Sequence, residues 1–187
     1  MSPYIKYFKA VMRHKWYVFL EARKLGIPWL GLIHDLSKFL PSEFIAYSKQ
    51  FYGDKLTVFS PDHSLSRGDI FKFYTEDPAR FVVTNVDGAN LTLAPLHRKS
   101  DFDYAWNHHQ KSNKHHWQYW VLVYDDPEAG AEILLDMPKK YRLEMLADWR
   151  GAGQAYGNND TPGWYAKHKH NQRVHPNVKA FLEEVLG

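Results

Sequence analysis

Gly26-Ile27-Pro28-Trp29-Leu30-Gly31-Leu32-Ile33-His34-Asp35-Leu36-Ser37-Lys38 is the stretch whose interpretation decides the architecture and the chemistry of this chain. Pro28 suits the first turn of a helix, where its missing N–H is not needed, and Gly26 suits the cap of the helix before it. The apolar run behind Pro28 predicts a helix over roughly 28–38. Inside Ile27–Leu36, His34-Asp35 is the only polar pair. A carboxylate beside an imidazole in an otherwise buried segment is costly unless it is paired, hydrogen-bonded or bound to a cation.

Residues 4–24, before this stretch, have helical periodicity. Tyr7, Val11, His14 and Val18 share one stripe, and Phe8, Met12, Trp16 and Phe19 form a neighbouring one. His14 therefore also lies on an apolar face. After it, Pro41-Ser42-Glu43 opens a third helix reaching about Phe51. Between Tyr52 and His97 the pattern changes to β-type runs at Asp69–Tyr74, Phe81–Val86 and Leu91–Leu96. Turn signals stand at Glu76-Asp77-Pro78 and Val86-Asp87-Gly88. This predicts a three-stranded antiparallel insert at about 55–98.

Helical character returns at Asp101 and runs through a histidine cluster to about Trp120. Residues 121–137 fit a short hairpin turning at Asp125-Asp126-Pro127, or a helix extension followed by a loop. Pro138 opens a helix to about Tyr156, with Tyr141, Met145, Asp148 and Ala152 on one stripe. Two short helices follow, near Gly163–His170 and Pro176–Leu186. The expectation is a mainly α, single-domain helical bundle over 1–187 carrying a small β insert.

Composition narrows the chemistry. Among 187 residues there are 11 histidines and no cysteine, which excludes disulfides, thiolate zinc sites, iron–sulfur clusters and a cysteine nucleophile. Any metal must be held by imidazole and carboxylate, a donor set suited to zinc, manganese, iron, cobalt or nickel. A formal net charge of +3 lacks the clustered surplus of a dedicated nucleic-acid binder, while leaving room for an anionic small-molecule substrate. The N-terminal segment carries Lys6, Lys9, Arg13 and Lys15 without the continuous apolar core of a signal peptide. No run approaches the roughly 18 apolar residues of a membrane span. A cytoplasmic protein with no membrane partner is expected, and a homo-oligomer stays open.

His14, His34, Asp35 and Asp148 thus sit on three predicted helices and face inward, where one shared cation would satisfy them. Each taken singly has an ordinary explanation as a hydrogen-bonded core group. The cluster His108-His109 with His115-His116 adds imidazoles. On a continuous helix, residues seven apart share a face, pairing His108 with His115 and His109 with His116. The bland alternative is a wet basic surface, with Lys111 and Lys114 among them.

A histidine, then His34-Asp35, then histidines at 108–116, then Asp148 resembles the HD-domain superfamily of metal-dependent phosphohydrolases. His34-Asp35-Leu36-Ser37-Lys38 is similar to the His-Asp-x-x-Lys form of several of its branches. The resemblance implies an HD-like helical bundle, with His14, His34, Asp35, His109, His116 and Asp148 as ligands of one or two divalent cations. It implies assisting roles for Lys38 and Glu43, three and eight residues after the Asp. Lys38 would neutralise phosphate charge, and Glu43 would orient or deprotonate the attacking water. The chain as a whole also resembles an uncharacterised bacterial and phage family sharing the Arg-His-Lys-Trp, Gly-Leu-Ile-His-Asp-Leu-Ser-Lys and Asn-Lys-His-His-Trp-Gln-Tyr-Trp strings.

The function expected is hydrolysis of a nucleotide or other phosphate ester. The rivals are a di-iron oxygenase on the same scaffold and a non-catalytic metal-containing binding protein. Gly151-Ala152-Gly153-Gln154-Ala155-Tyr156-Gly157 looks like a dinucleotide fingerprint, but it has one residue too many and follows a helix rather than a strand. Trp106, Trp117, Tyr119 and Trp120 are expected in the core. His168, His170 and His175 sit among basic residues and are expected on a solvated face.

Overall fold

Prolines set the helix starts. In the computed structural model, which describes residues 1–53, 56–59, 70–72, 80–87, 90–95, 101–125 and 132–187, a proline occupies the first turn of five helices. These are α1 (Pro3–Lys24), α2 (Pro28–Ile33), α3 (Pro41–Tyr52), α6 (Thr161–His168) and α7 (Pro176–Leu186). The others are α4 (Asp101–Ser112) and α5 (Lys139–Tyr156). Gly26, at φ 77°, lets the chain reverse between α1 and α2. The described residues are mainly helical, and none of these helices is long and apolar enough to cross a membrane.

α1 is the central element, packed against α2, α3 and α5, with its most extensive contact on α5. Two glycines make the close approaches. A Cβ on Gly151 of α5 would lie 2.6 Å from the Val18 backbone nitrogen and 2.8 Å from its Cα. A Cβ on Gly31 of α2 would lie 2.5 Å from the Ala22 Cβ. Gly151 is therefore a helix-crossing glycine, which accounts for it without any nucleotide loop. Val18, Ala22 and Ala147 fill the seam with small side chains. A larger core of Met137, Met145, Leu146, Tyr165, Val178, Leu182 and Leu186 joins α5, α6 and α7. A third, built on Tyr7, Val11, Ala46, Tyr47 and Ala105, joins α1, α3 and α4. The stripe Tyr7, Val11, His14 and Val18 is buried as its spacing predicts, while Phe8, Met12 and Trp16 are about half exposed.

Between α3 and α4 lies an antiparallel sheet of four strands, β1 (Leu56–Phe59), β2 (Ile70–Lys72), β3 (Arg80–Asp87) and β4 (Asn90–Pro95), in the order β1-β4-β3-β2. Three of these are the expected strands. β1 is the addition, an edge strand of four residues too short to announce itself by alternation. Val83 pairs with Leu93 and Val86 with Leu91, with a register shift between Val83 and Asn85. The turn expected at Glu76-Asp77-Pro78 lies outside the described residues. β5 (Val121–Leu122) pairs antiparallel with β6 (Ile133–Leu134), as the hairpin alternative for 121–137 expects, while Asp126-Pro127 of its expected turn lie outside the described residues.

Two helices are shorter than their periodicity predicts. The helix expected over 28–38 stops at Ile33, and Leu36–Phe39 form a 3-10 turn. The helix expected to reach Trp120 stops at Ser112, where the Asn113 backbone N–H and side-chain amide both bond the His109 carbonyl. The first break falls at His34 and the second lies between His109 and His115, so both serve the same cluster.

Candidate metal centre

Asp35 adopts φ 56°, ψ 30°, and it is the one non-glycine residue at positive φ among those described. Aspartate tolerates this left-handed conformation better than most side chains, at a cost of about 1–3 kcal/mol. The break turns both His34 and Asp35 into the interior, where each is 1% exposed. Lys15, next to His14 on α1, holds the turn in place. Its ammonium donates to the carbonyls of Leu32, at 3.3 Å, and of His34.

The Asp35 carboxylate is shared oxygen by oxygen between two sets of donors. Oδ2 lies 3.5 Å from His14 Nε2 and 3.3 Å from His34 Nε2. Asp148 Oδ1 closes this first set, 3.1 Å from His14 Nε2 and 3.3 Å from His34 Nε2. Oδ1 of Asp35 faces the other way, 3.3 Å from His109 Nε2 and 3.4 Å from His115 Nε2, and His116 completes that second set. Within each set one donor atom per residue falls within 4.8 Å of all the others. The Nε2 atoms of His14, His34, His109, His115 and His116 are buried without a hydrogen-bond partner among the described residues. Five inward imidazole nitrogens left open around two carboxylates fit divalent cations well.

Carboxylates orient these rings from behind. Glu144, one turn before Asp148 on α5, places Oε1 3.2 Å from His34 Nδ1 and 3.4 Å from His115 Nδ1, one ring from each set. Glu43 Oε2 lies 3.1 Å from His109 Nδ1 and accepts a 3.0 Å hydrogen bond from the Ser37 hydroxyl. A carboxylate accepting at Nδ1–H fixes the tautomer that presents a Nε2 lone pair to the interior. Glu144 and His34 also form a third donor group with His115. Because the Nε2 atoms point at Asp35, orientation is the better account of Glu144.

The titration of the cluster follows from the same geometry. Burial pushes Asp35 and Asp148 upward, but the neighbouring imidazoles, joined at Asp35 by Lys38, hold both well below the usual carboxylate range. Glu144 and Glu43 are also lowered against burial, by the rings they support. Burial pushes His34 down, yet Asp35, Asp148 and Glu144 together hold it well above the ordinary histidine value. His115 and His116 go the other way, lowered by burial and then by neighbouring imidazoles. Lys38 Nζ lies 2.6 Å from Asp35 Oδ2 as an ion pair, and its pKa is raised, burial being overcome chiefly by that carboxylate.

All six expected ligands, His14, His34, Asp35, His109, His116 and Asp148, fall in the two sets. Three expectations are corrected. His115 and His116 lie beyond the end of α4, so no shared helix face pairs them; His109 and His116 still meet, with ring centroids 4.7 Å apart in the second set, whereas His108 joins neither set. His115 reaches Asp35, while His108 turns outward to Glu43 Oε1 at 2.6 Å. Glu43 is fully buried, with both oxygens engaged by His108, His109 and Ser37, so it positions His109 rather than meeting a water in the open site. Glu144 was missed, although its i−4 spacing from Asp148 puts it on the same helix face. Trp106 is at the rim, 38% exposed, rather than in the core.

A family model matches residues 4–187, nearly the whole chain, and the chain belongs to that family, DUF5662, a family of unknown function. No curated protein and no solved structure matches the sequence.

Proposed function

With no activity assigned to the family, the chemistry of the cluster must carry the function, and we propose that the protein is a metal-dependent phosphohydrolase whose inward His and Asp residues would hold two divalent cations. The observation that supports it is the division of the Asp35 carboxylate between His14, His34 and Asp148 on one oxygen and His109 and His115 on the other. His14, His34, Asp35 and Asp148 would hold one cation, and Asp35, His109, His115 and His116 the other. Such cations, when bound, would lower the pKa of bound water and polarise a phosphoryl oxygen.

The chain's own groups have separable parts in this proposal. Four buried or nearly buried carboxylates, Asp35, Glu43, Glu144 and Asp148, face few fixed cations, so two divalent ions would balance them. Lys38 would then be released from Asp35 to meet the charge of a phosphate. Glu144 and Glu43 keep His34, His115 and His109 in the metal-binding tautomer. The order of motifs agrees with the HD-domain superfamily that the sequence resembles.

Elemental analysis of the purified protein and of Asp35→Ala tests this directly. About two equivalents of a transition metal in the parent, none in the variant, and metal-dependent release of phosphate from a panel of esters are expected. A folded, metal-free parent that binds no added zinc, manganese or iron would overturn the proposal. Oxygen consumption by an iron-loaded form, with no phosphate release, would replace hydrolysis by oxygenase chemistry.

A further inference from the structure

Beside the cluster is a cavity of about 400 Å³, lined by His14 and Lys38 and otherwise mostly by aromatic rings. Tyr7 and Tyr47 form its inner wall, and Phe51, Trp106 and Tyr156 stand around it at 51%, 38% and 70% exposure. Rings left this exposed around a concavity cost the unliganded protein apolar contact with water and are the usual mark of a binding surface. The hydroxyls of Tyr7 and Tyr47 are buried without a hydrogen-bond partner among the described residues, so the wall is also incomplete in its polar groups. Among the described residues of the lining, Lys38 is the one Lys or Arg and none is a carboxylate. The cavity therefore joins a cation and a residue of the metal centre to aromatic rings that reach solvent.

We propose that this cavity binds the organic part of the substrate, and that the substrate is a phosphomonoester whose alcohol carries a planar ring. The assignment rests on the phosphohydrolase proposal for its phosphate end, where Lys38 and the centre meet the anion. The ring lies among Phe51, Trp106 and Tyr156, where stacking is worth about 5- to 150-fold in affinity per ring by alanine substitution. An aliphatic phosphate of the same charge leaves these faces wet and gains nothing from them. The volume lies within the range of sites for drug-sized ligands, so a ring and a short linker fit beside the phosphate.

The test compares phenylphosphonate with methylphosphonate, neither of which is hydrolysed, by calorimetry on metal-loaded and on metal-free protein. Phenylphosphonate is expected to bind about 10-fold tighter than methylphosphonate in the loaded form, and to keep that preference, at weaker affinity, without metal. Phe51→Ala and Tyr156→Ala, both at exposed rings outside the cluster, are each expected to reduce the preference about 5-fold or more. Neither should change metal content or methylphosphonate affinity. Equal affinity for the two phosphonates in both forms overturns the cavity assignment. So does a preference that both variants leave intact. Because the ring preference is also read on metal-free protein, its failure is separable from a failure to bind metal.

Discussion

Replacing Gly151 by alanine tests whether the α1–α5 crossing sets the metal site. The new Cβ would stand 2.6 Å from both the backbone nitrogen and Cγ2 of Val18. To reach an ordinary van der Waals separation of 3.4–4 Å, the helices must part by about 0.8–1.4 Å. The obstacle is largely backbone, so a side-chain rotation does not relieve it. Alanine gains about 1 kcal/mol of helix propensity over glycine, against an overpacking cost of about 1–3 kcal/mol. A net loss near 1 kcal/mol lowers Tm by about 2–4 °C for a chain of this size. The site should suffer more. Val18 is one turn beyond His14 and Gly151 nearly one turn beyond Asp148, and His14 Nε2 sits 3.1 Å from Asp148 Oδ1. Metal sites tolerate about 0.2 Å of error in ligand distance, so a parting of this size should weaken the His14–Asp148 site about 10–100-fold. Chelator competition and thermal unfolding of metal-free protein, run side by side, measure the two effects. Unchanged Tm together with unchanged metal affinity would show that the crossing has slack, refuting the reasoning.

The other predictions concern separate parts of the molecule. Glu144→Gln should reduce affinity for both cations, by about 10–100-fold, because one carboxylate orients a ring in each set; a loss confined to one cation, or none, counts against that shared role. Away from the site, Glu21 is held below the usual carboxylate range against burial by hydrogen bonds from Lys24 at 2.5 Å and Gln154 at 2.7 Å. A depressed folded-state pKa adds stability above the ordinary carboxylate range that is lost as pH falls through the folded value. Urea unfolding from about pH 6 to about pH 3 should therefore show a shallower loss in Glu21→Gln than in the parent; parallel curves would exclude a Glu21 contribution. Asp160→Ala removes the cap of α6, in which Oδ1 accepts the Gly163 N–H at 2.9 Å, and should cost about 1 kcal/mol in the same assay.

Much of the cluster was legible in the chain because burying an ionisable group is expensive. His14 between Val11 and Val18, His34-Asp35 in an apolar run, and Asp148 on the Met145 stripe each break a helical pattern on its inner face. Periodicity located those three without any knowledge of neighbours. It failed at 108–116 because it assumes an unbroken helix, whereas α4 ends at Ser112 and His115 comes inward on a turn. The role that the family resemblance implied for Glu43 failed for a different reason. The resemblance implies an assisting carboxylate eight residues after Asp35, but only packing shows that His108, His109 and Ser37 already engage both of its oxygens.

Local patterning by itself therefore determined the helical class, the presence of a β insert and the inward His and Asp residues, since each depends on neighbours within a turn or two of chain. Tertiary structure decided how the donors divide. Asp35 is one residue with two oxygens, and which ring meets which oxygen depends on the left-handed turn at Asp35, the Gly151–Val18 crossing and the end of α4. Those features bring together residues more than 100 positions apart, as in His34 with Glu144. Spacing along the chain carries no information about such distances, because they are set by the packing of helices against one another.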